Sequence, residues 1–191
     1  MKNEINRIAD RLVNAFNTNT VINPIPVKYC KNINLANKLR KLCEDQIKDE
    51  TIGIKAGGTG IQALKKLKEK EPFTAKVFKK RLVKSGQNVK INQHTKGIEV
   101  EVYYFIKKSF FDFKGKVTKS NISKFIKFMG PCFEIVGFRQ RNKKFTYLGD
   151  ICGDFGFNIK FGVGRKTKFK KLNLNNLKTS LVSKKNGVKV N

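Results

Sequence analysis

The sequence predicts an α+β protein, with a helical N-terminal part over about residues 1–75 and a mostly β part over about 76–191. Three observations predict it. Apolar residues recur at helical spacing in the first part. From about Lys76 the texture changes to short apolar runs separated by turn residues. No linker rich in Gly, Ser or Pro divides the two, so a single domain of 191 residues is expected. A chain of this length buries a core without help from disulfides or zinc. Its four cysteines, at 30, 43, 132 and 152, form no CxxC pair and sit beside the one histidine, His94, so reduced thiols are expected.

The elements follow in order. Ile5, Ile8, Ala9, Leu12, Val13 and Phe16 define an amphipathic first helix, which the stretch from Asn17 to Pro26 breaks. A second helix is predicted from Asn34 to about Asp49, and then a buried strand over Thr51, Ile52, Gly53 and Ile54. The loop Gly57, Gly58, Thr59, Gly60 opens a third helix. Thr59 and Gln62 have capping-box spacing, and Pro72 is expected to end the helix. Beyond Lys76, RLV and NVKI flank the turn residues Ser85 and Gly86. Ile98 to Ile106 reads as a longer strand, and Asn121 to Phe128 as a short helix ahead of the strand FEIVGF. Asn186 and Gly187 predict a type I′ hairpin with only four residues after it, so the end looks unfinished.

The N-terminal MKNEINRIADRLVNAF mixes charges with its apolar residues and has no unbroken apolar run. It fits neither a signal peptide nor a membrane span, and a soluble cytoplasmic protein without membrane contact is expected. Net charge is +28, from 42 Lys and Arg against 14 Asp and Glu. Two readings stand: a nucleic-acid footprint, or an A+T-rich coding bias. The second is supported by 35 Lys against 7 Arg and by 19 Asn, since phosphate and base recognition lean on the Arg fork.

Acids are so rare after Pro72 that their positions carry information: Glu99, Glu101, Asp112, Glu134, Asp150 and Asp154. Glu99 and Glu101 are two apart on a predicted strand and leave the same face, where two carboxylates repel unless a cation lies between them. Glu134 lies among apolar residues on another predicted strand, where an unpaired charge is costly. Three converging carboxylates suit a hard divalent cation, Mg²⁺ or Mn²⁺. The alternative is that the glutamates pair with the abundant lysines on a solvated strand face.

GIKAGGTG at 53–60, EPFTAKVF at 71–78, SGQNVKI at 85–91, GIEVEVYYFI at 97–106, PCFEIVGFR at 131–139 and GDICGDFGF at 149–157 come in a characteristic order and spacing. In these blocks the chain resembles the 2-keto-4-pentenoate hydratase family of the fumarylacetoacetate hydrolase superfamily, from the first helix to about Val190. The resemblance implies N-terminal helices followed by a mixed β-roll or sandwich. It implies Mg²⁺ or Mn²⁺ on Glu99, Glu101 and Glu134. Lys55 would point into the site as catalytic and substrate-binding residue, with Thr59 closing the same loop, Asp154 a further catalytic candidate and Arg139 a substrate-binding one. The activity implied is a hydro-lyase of aromatic compound catabolism: water adds to a 2-hydroxy-2,4-dienoate or 2-oxo-alkenoate, with the cation stabilising the enolate as Lewis acid. The implied partners are a small 2-oxo acid and further copies of the chain.

Departures accompany the matches. Phe73, Thr74 and Ala75 stand where the family has an acidic or aliphatic residue, Phe and Gly. Phe155 replaces the Asn of an Asp-Asn segment, and the family's Gly-His-Pro block after the hairpin is missing, so a C-terminally incomplete fold with impaired activity is expected. The competing class is a non-catalytic basic remnant binding nucleic acid loosely through its C-terminal third. No acid follows Asp154 there, and ten Lys and Arg lie between Lys160 and Lys189.

Overall fold

The computed structural model describes residues 3–89, 94–142, 144–173, 178, 183–185 and 188–190. The fold is α+β, with N-terminal helices followed by sheets. In chain order the elements are α1 (Glu4–Thr18), α2 (Lys28–Lys31), α3 (Ile33–Gln46), β1 (Thr51–Gly57), α4 (Ile61–Leu67), β2 (Phe73–Phe78), β3 (Leu82–Val83), β4 (Thr95–Ile106), β5 (Ile126–Gly137), α5 (Leu148–Cys152), β6 (Asn158–Val163), β7 (Thr167–Lys168), β8 (Ser183–Lys185) and β9 (Val188–Val190). They fall into two compact units. The first comprises residues 1–82, 88–97 and 135–160, and the second 83–87, 98–134 and 161–191.

In the first unit, α1 is capped by Asn3, whose side-chain oxygen accepts from the Asn6 amide, and it ends at Asn19 in the left-handed conformation. Its apolar stripe, Ile5 to Phe16, is buried with Ile25, Tyr29, Cys30, Leu39, Cys43, Phe78 and Phe155 in one core. Asn32 caps α3. Near its end, Glu44 is buried against Arg40 at 2.6 Å and accepts the amide of Lys76, which ties the helix to β2. Gly149 on α5 comes so close to α2 that a Cβ there would lie 2.1 Å from the Cys30 carbonyl oxygen, so only glycine fits. β1 and β2 pair antiparallel, with Lys55 opposite Ala75.

A five-stranded sheet has the order β3-β6-β5-β4, with β7 pairing with β5. β8 and β9 form an antiparallel pair, and the Asn186–Gly187 turn expected between them lies outside the described residues.

Several elements differ from their sequence-based expectation for physical reasons. The strand at Thr51 runs on to Gly57 and is not buried: Ile54 is 71% exposed, and among the described residues β1 pairs with β2 alone. The capping box at Thr59 does not form, since Gly60 takes the cap position without a side-chain bond. Lys68, in the left-handed conformation, ends α4 before Pro72 is reached. The helix expected over Asn121–Phe128 is a single 3-10 turn, Ile122–Phe125, because Ile126 already joins β5. The RLV run supplies only the two-residue β3, and most of the NVKI run lies outside the described residues.

Candidate metal centre

Strand geometry places the carboxylates. On β4, Glu99 and Glu101 are alternate residues, so their side chains leave one face of the sheet. Glu134 stands on β5 and is 2% exposed. The three offer carboxylate oxygens that all lie within 4.8 Å of one another, with Glu99 and Glu101 open to solvent. Cys132 is two residues before Glu134 on the same strand. Burial and the charges of Glu134 and Glu101 push its thiol up to about 11, which registers the negative field of the cluster. An all-oxygen donor set of three carboxylates, one buried and two facing solvent, fits a hard divalent cation that keeps other positions for water or a chelating ligand.

The other sequence candidates belong to the first unit. Lys55, on β1, donates from Nζ to the Gly156 carbonyl oxygen at 2.8 Å. Thr59 is exposed in the loop ahead of α4. Arg139 and Asp154 are both buried and paired: Asp154 Oδ1 accepts from Arg139 Nη1 at 3.0 Å, and Oδ2 accepts from the Arg139 amide at 2.7 Å. Gln140 Nε2 also donates to Oδ2, and Arg139 Nη2 donates to the Asn158 carbonyl. Burial lowers the pKa of the Arg139 guanidinium, and the charge of Asp154 opposes that shift. The structure thus brings Glu99, Glu101 and Glu134 together. Separately, it brings Lys55, Arg139 and Asp154 onto one segment, residues 154–158.

That segment carries a feature sequence reasoning missed. Phe155, Gly156 and Phe157 all have positive φ, at 52°, 63° and 64°. Left-handed backbone costs an L-residue roughly 1–2 kcal/mol, so the two phenylalanines must be held there. Phe155 stacks on Phe16 with centroids 4.4 Å apart, and Phe157 meets Phe138 edge to face at 4.0 Å. Arg139 grips the residues on either side of the turn, and Lys55 takes the carbonyl at its centre. Only Gly156 hints at this in the sequence. Cys132, also missed, has the alternate-residue spacing to Glu134 as its signal.

With this geometry in hand, two solved structures compare with the chain. Both are 4-oxalocrotonate decarboxylase from Pseudomonas putida G7, one complexed with magnesium and adipate and the other with calcium and acetate. The chain shares their fold. The TM-scores are 0.67 and 0.70, each at 16% sequence identity over 86% of this chain. The chain spans 64% and 63% of the length of these two structures. No protein-family model matches the chain, and no curated protein matches it by sequence. Among the described residues, no helix is long and apolar enough to cross a membrane.

Proposed function

We propose that the chain is a divalent-metal-dependent lyase of the fumarylacetoacetate hydrolase superfamily. Its reaction would be the addition of water to a 2-hydroxy-2,4-dienoate, as in 2-keto-4-pentenoate hydratase. The observation that carries the proposal is the convergence of Glu99, Glu101 and Glu134 from two strands. These residues would hold Mg²⁺ or Mn²⁺, which when bound supplies a Lewis acid for the carboxylate and 2-oxo oxygens of a 2-oxo acid. Lys55 is assigned to the substrate, where its ammonium group binds the carboxylate or hands on a proton. Thr59, exposed in the loop that follows Lys55, is assigned as a further catalytic residue. Arg139 and Asp154 act as positioning residues: their ion pair orders the segment whose carbonyl at Gly156 takes up the Lys55 ammonium. The likeness in fold to a decarboxylase favours a second reading, in which the same acids serve loss of CO₂ from a 2-oxo dicarboxylate.

The test has two stages. Thermal unfolding is followed with and without Mg²⁺ or Mn²⁺ for the wild type, Glu101→Gln and Glu134→Gln. A cation at a hundredfold excess over its Kd stabilises by about 2.7 kcal/mol. The wild type should therefore melt several degrees higher, and both variants should lose most of that rise. An unchanged wild type overturns the metal centre. Dienoate absorbance and CO₂ release on the metal-loaded protein then separate hydration from decarboxylation, and neither signal above background would refute the lyase.

A further inference from the structure

Apart from the carboxylates, the second unit carries a stretch in which rings and cations alternate. From Tyr103 to Phe133 the chain holds nine aromatic residues and seven lysines against one acid, Asp112. Many of these rings stand in water. Phe111 is 72% exposed, Phe105 56% and Phe113 38%. The two apolar cores of buried residues lie elsewhere in the fold and take in none of them. The rings are ordered by one another instead. Phe105 meets Phe128 edge to face at 6.2 Å, and Phe110 and Phe113 flank Phe125 at 5.5 and 4.9 Å. Cations attend them, with the ammonium groups of Lys127 and Lys166 at 5.4 and 5.1 Å from the centre of the Phe128 ring.

Exposed rings on this scale mark a surface that something covers, and the charge decides what. A second copy would bring one lysine-rich face against another, which repulsion opposes. An anionic bilayer would meet Asp112 between Phe111 and Phe113, both exposed, where a carboxylate is repelled by the headgroups. A flexible polyanion that carries its own flat π-faces satisfies both features: phosphates take the lysines, and bases stack on the phenyl rings. Arginine is absent from Tyr103 to Phe133, so the readout is of charge and stacking and not of base identity. We propose that residues 103–128, with Lys166, form a docking surface for single-stranded nucleic acid that binds without sequence preference. This surface differs from the basic C-terminal third that the sequence alone singles out, because here the rings accompany the charge.

The experiment measures fluorescence anisotropy of labelled dT20 and rU20 with the full chain across a salt series. Three double variants accompany the wild type: Phe105→Ser/Phe111→Ser, Lys127→Gln/Lys166→Gln, and Lys65→Gln/Lys66→Gln on α4 as a charge-matched control. The wild type should bind both oligonucleotides, with affinity falling steeply as salt rises. The ring variant should lose on the order of tenfold or more, as expected for one or two stacked bases, with the salt slope unchanged. The ring-side lysine variant should flatten the slope by about 1.4, at roughly 0.7 per phosphate contact, while the control stays near wild type. Phe105 and Phe111 stand outside both buried cores, so the ring variant should stay folded. If that variant nevertheless fails to fold, the lysine pair against its control decides alone. Equal binding by the ring variant, equal binding of a duplex of the same length, or tighter binding to phosphatidylserine vesicles would each overturn the proposal. So would concentration-dependent self-association that the ring variant abolishes while dT20 and rU20 remain unbound.

Discussion

Asp154 shows what one side chain does once its surroundings are known. It is 0% exposed, and both of its oxygens are engaged by Arg139, with Gln140 adding a longer contact. Arg139 in turn lies over the rings of Phe16 and Phe155, at 4.8 and 5.1 Å. A buried ion pair contributes little net stability, because removing two charges from water offsets their attraction. Deleting one partner is a different matter, since it strands the other in a medium that cannot solvate it. Asp154→Ala should therefore destabilise by about 3–5 kcal/mol in urea unfolding. The double change Asp154→Leu/Arg139→Met should lose clearly less. An Asp154→Ala loss under about 1 kcal/mol, the range of solvent-exposed pairs in general, would show that the pair is not what holds the segment. In the sequence Asp154 is a catalytic candidate through the resemblance alone, because a partner fifteen positions away leaves no trace in spacing.

At the scale of elements, legibility followed the length of the periodic signal. The first helix is legible from six apolar positions over about three turns, and those positions form the buried stripe of α1. Glu99 and Glu101 could be placed on one face because strand alternation is rigid, whereas the approach of Glu134 depends on how β5 lies beside β4, which a single sequence does not encode. Four apolar or small residues at Thr51–Ile54 could not say whether a second layer covers them. In the letters FGF only Gly156 hints at left-handed backbone, because tertiary anchors impose that conformation on the two phenylalanines against local preference. A pair of glycines tests this. At Gly156, φ is +63° and a Cβ would lie 3.0 Å from the Phe73 ring and 3.1 Å from Ala75 Cβ, so Gly156→Ala should cost about 1–3 kcal/mol. At Gly53, on the exposed β1, a Cβ meets nothing within 4 Å, so Gly53→Ala should fall within about 1 kcal/mol of wild type, on the stabilising side if either. Equal melting temperatures for the two variants would mean that the turn is not held as described.

For the molecule as a whole, the quantity that matters is a net charge of +28 on 191 residues. Two electrostatic effects compete, and salt moves them in opposite directions. The exposed ion pairs Lys28–Glu4, Lys76–Asp45 and Lys79–Glu50 favour the folded state, and screening weakens them. Each contributes little, because water screens an exposed pair. Against them stands the mutual repulsion of 42 Lys and Arg with only 14 acids to offset it, which is greatest when the chain is compact and is screened once the Debye length falls below the spacing of the charges. The Debye length shrinks from roughly 20 Å at 20 mM salt to below about 5 Å at 0.5 M, so most of the repulsion is removed across that range. Repulsion involves many pairs and the favourable contacts only a few, so the melting temperature should rise with NaCl between 20 mM and 0.5 M, by several degrees. A neutral osmolyte at matched osmolarity should not reproduce the low-salt part of that rise. A melting temperature that falls with NaCl would show that the few close ion pairs outweigh the diffuse repulsion, and the surplus of lysine would then have little hold on the stability of the fold.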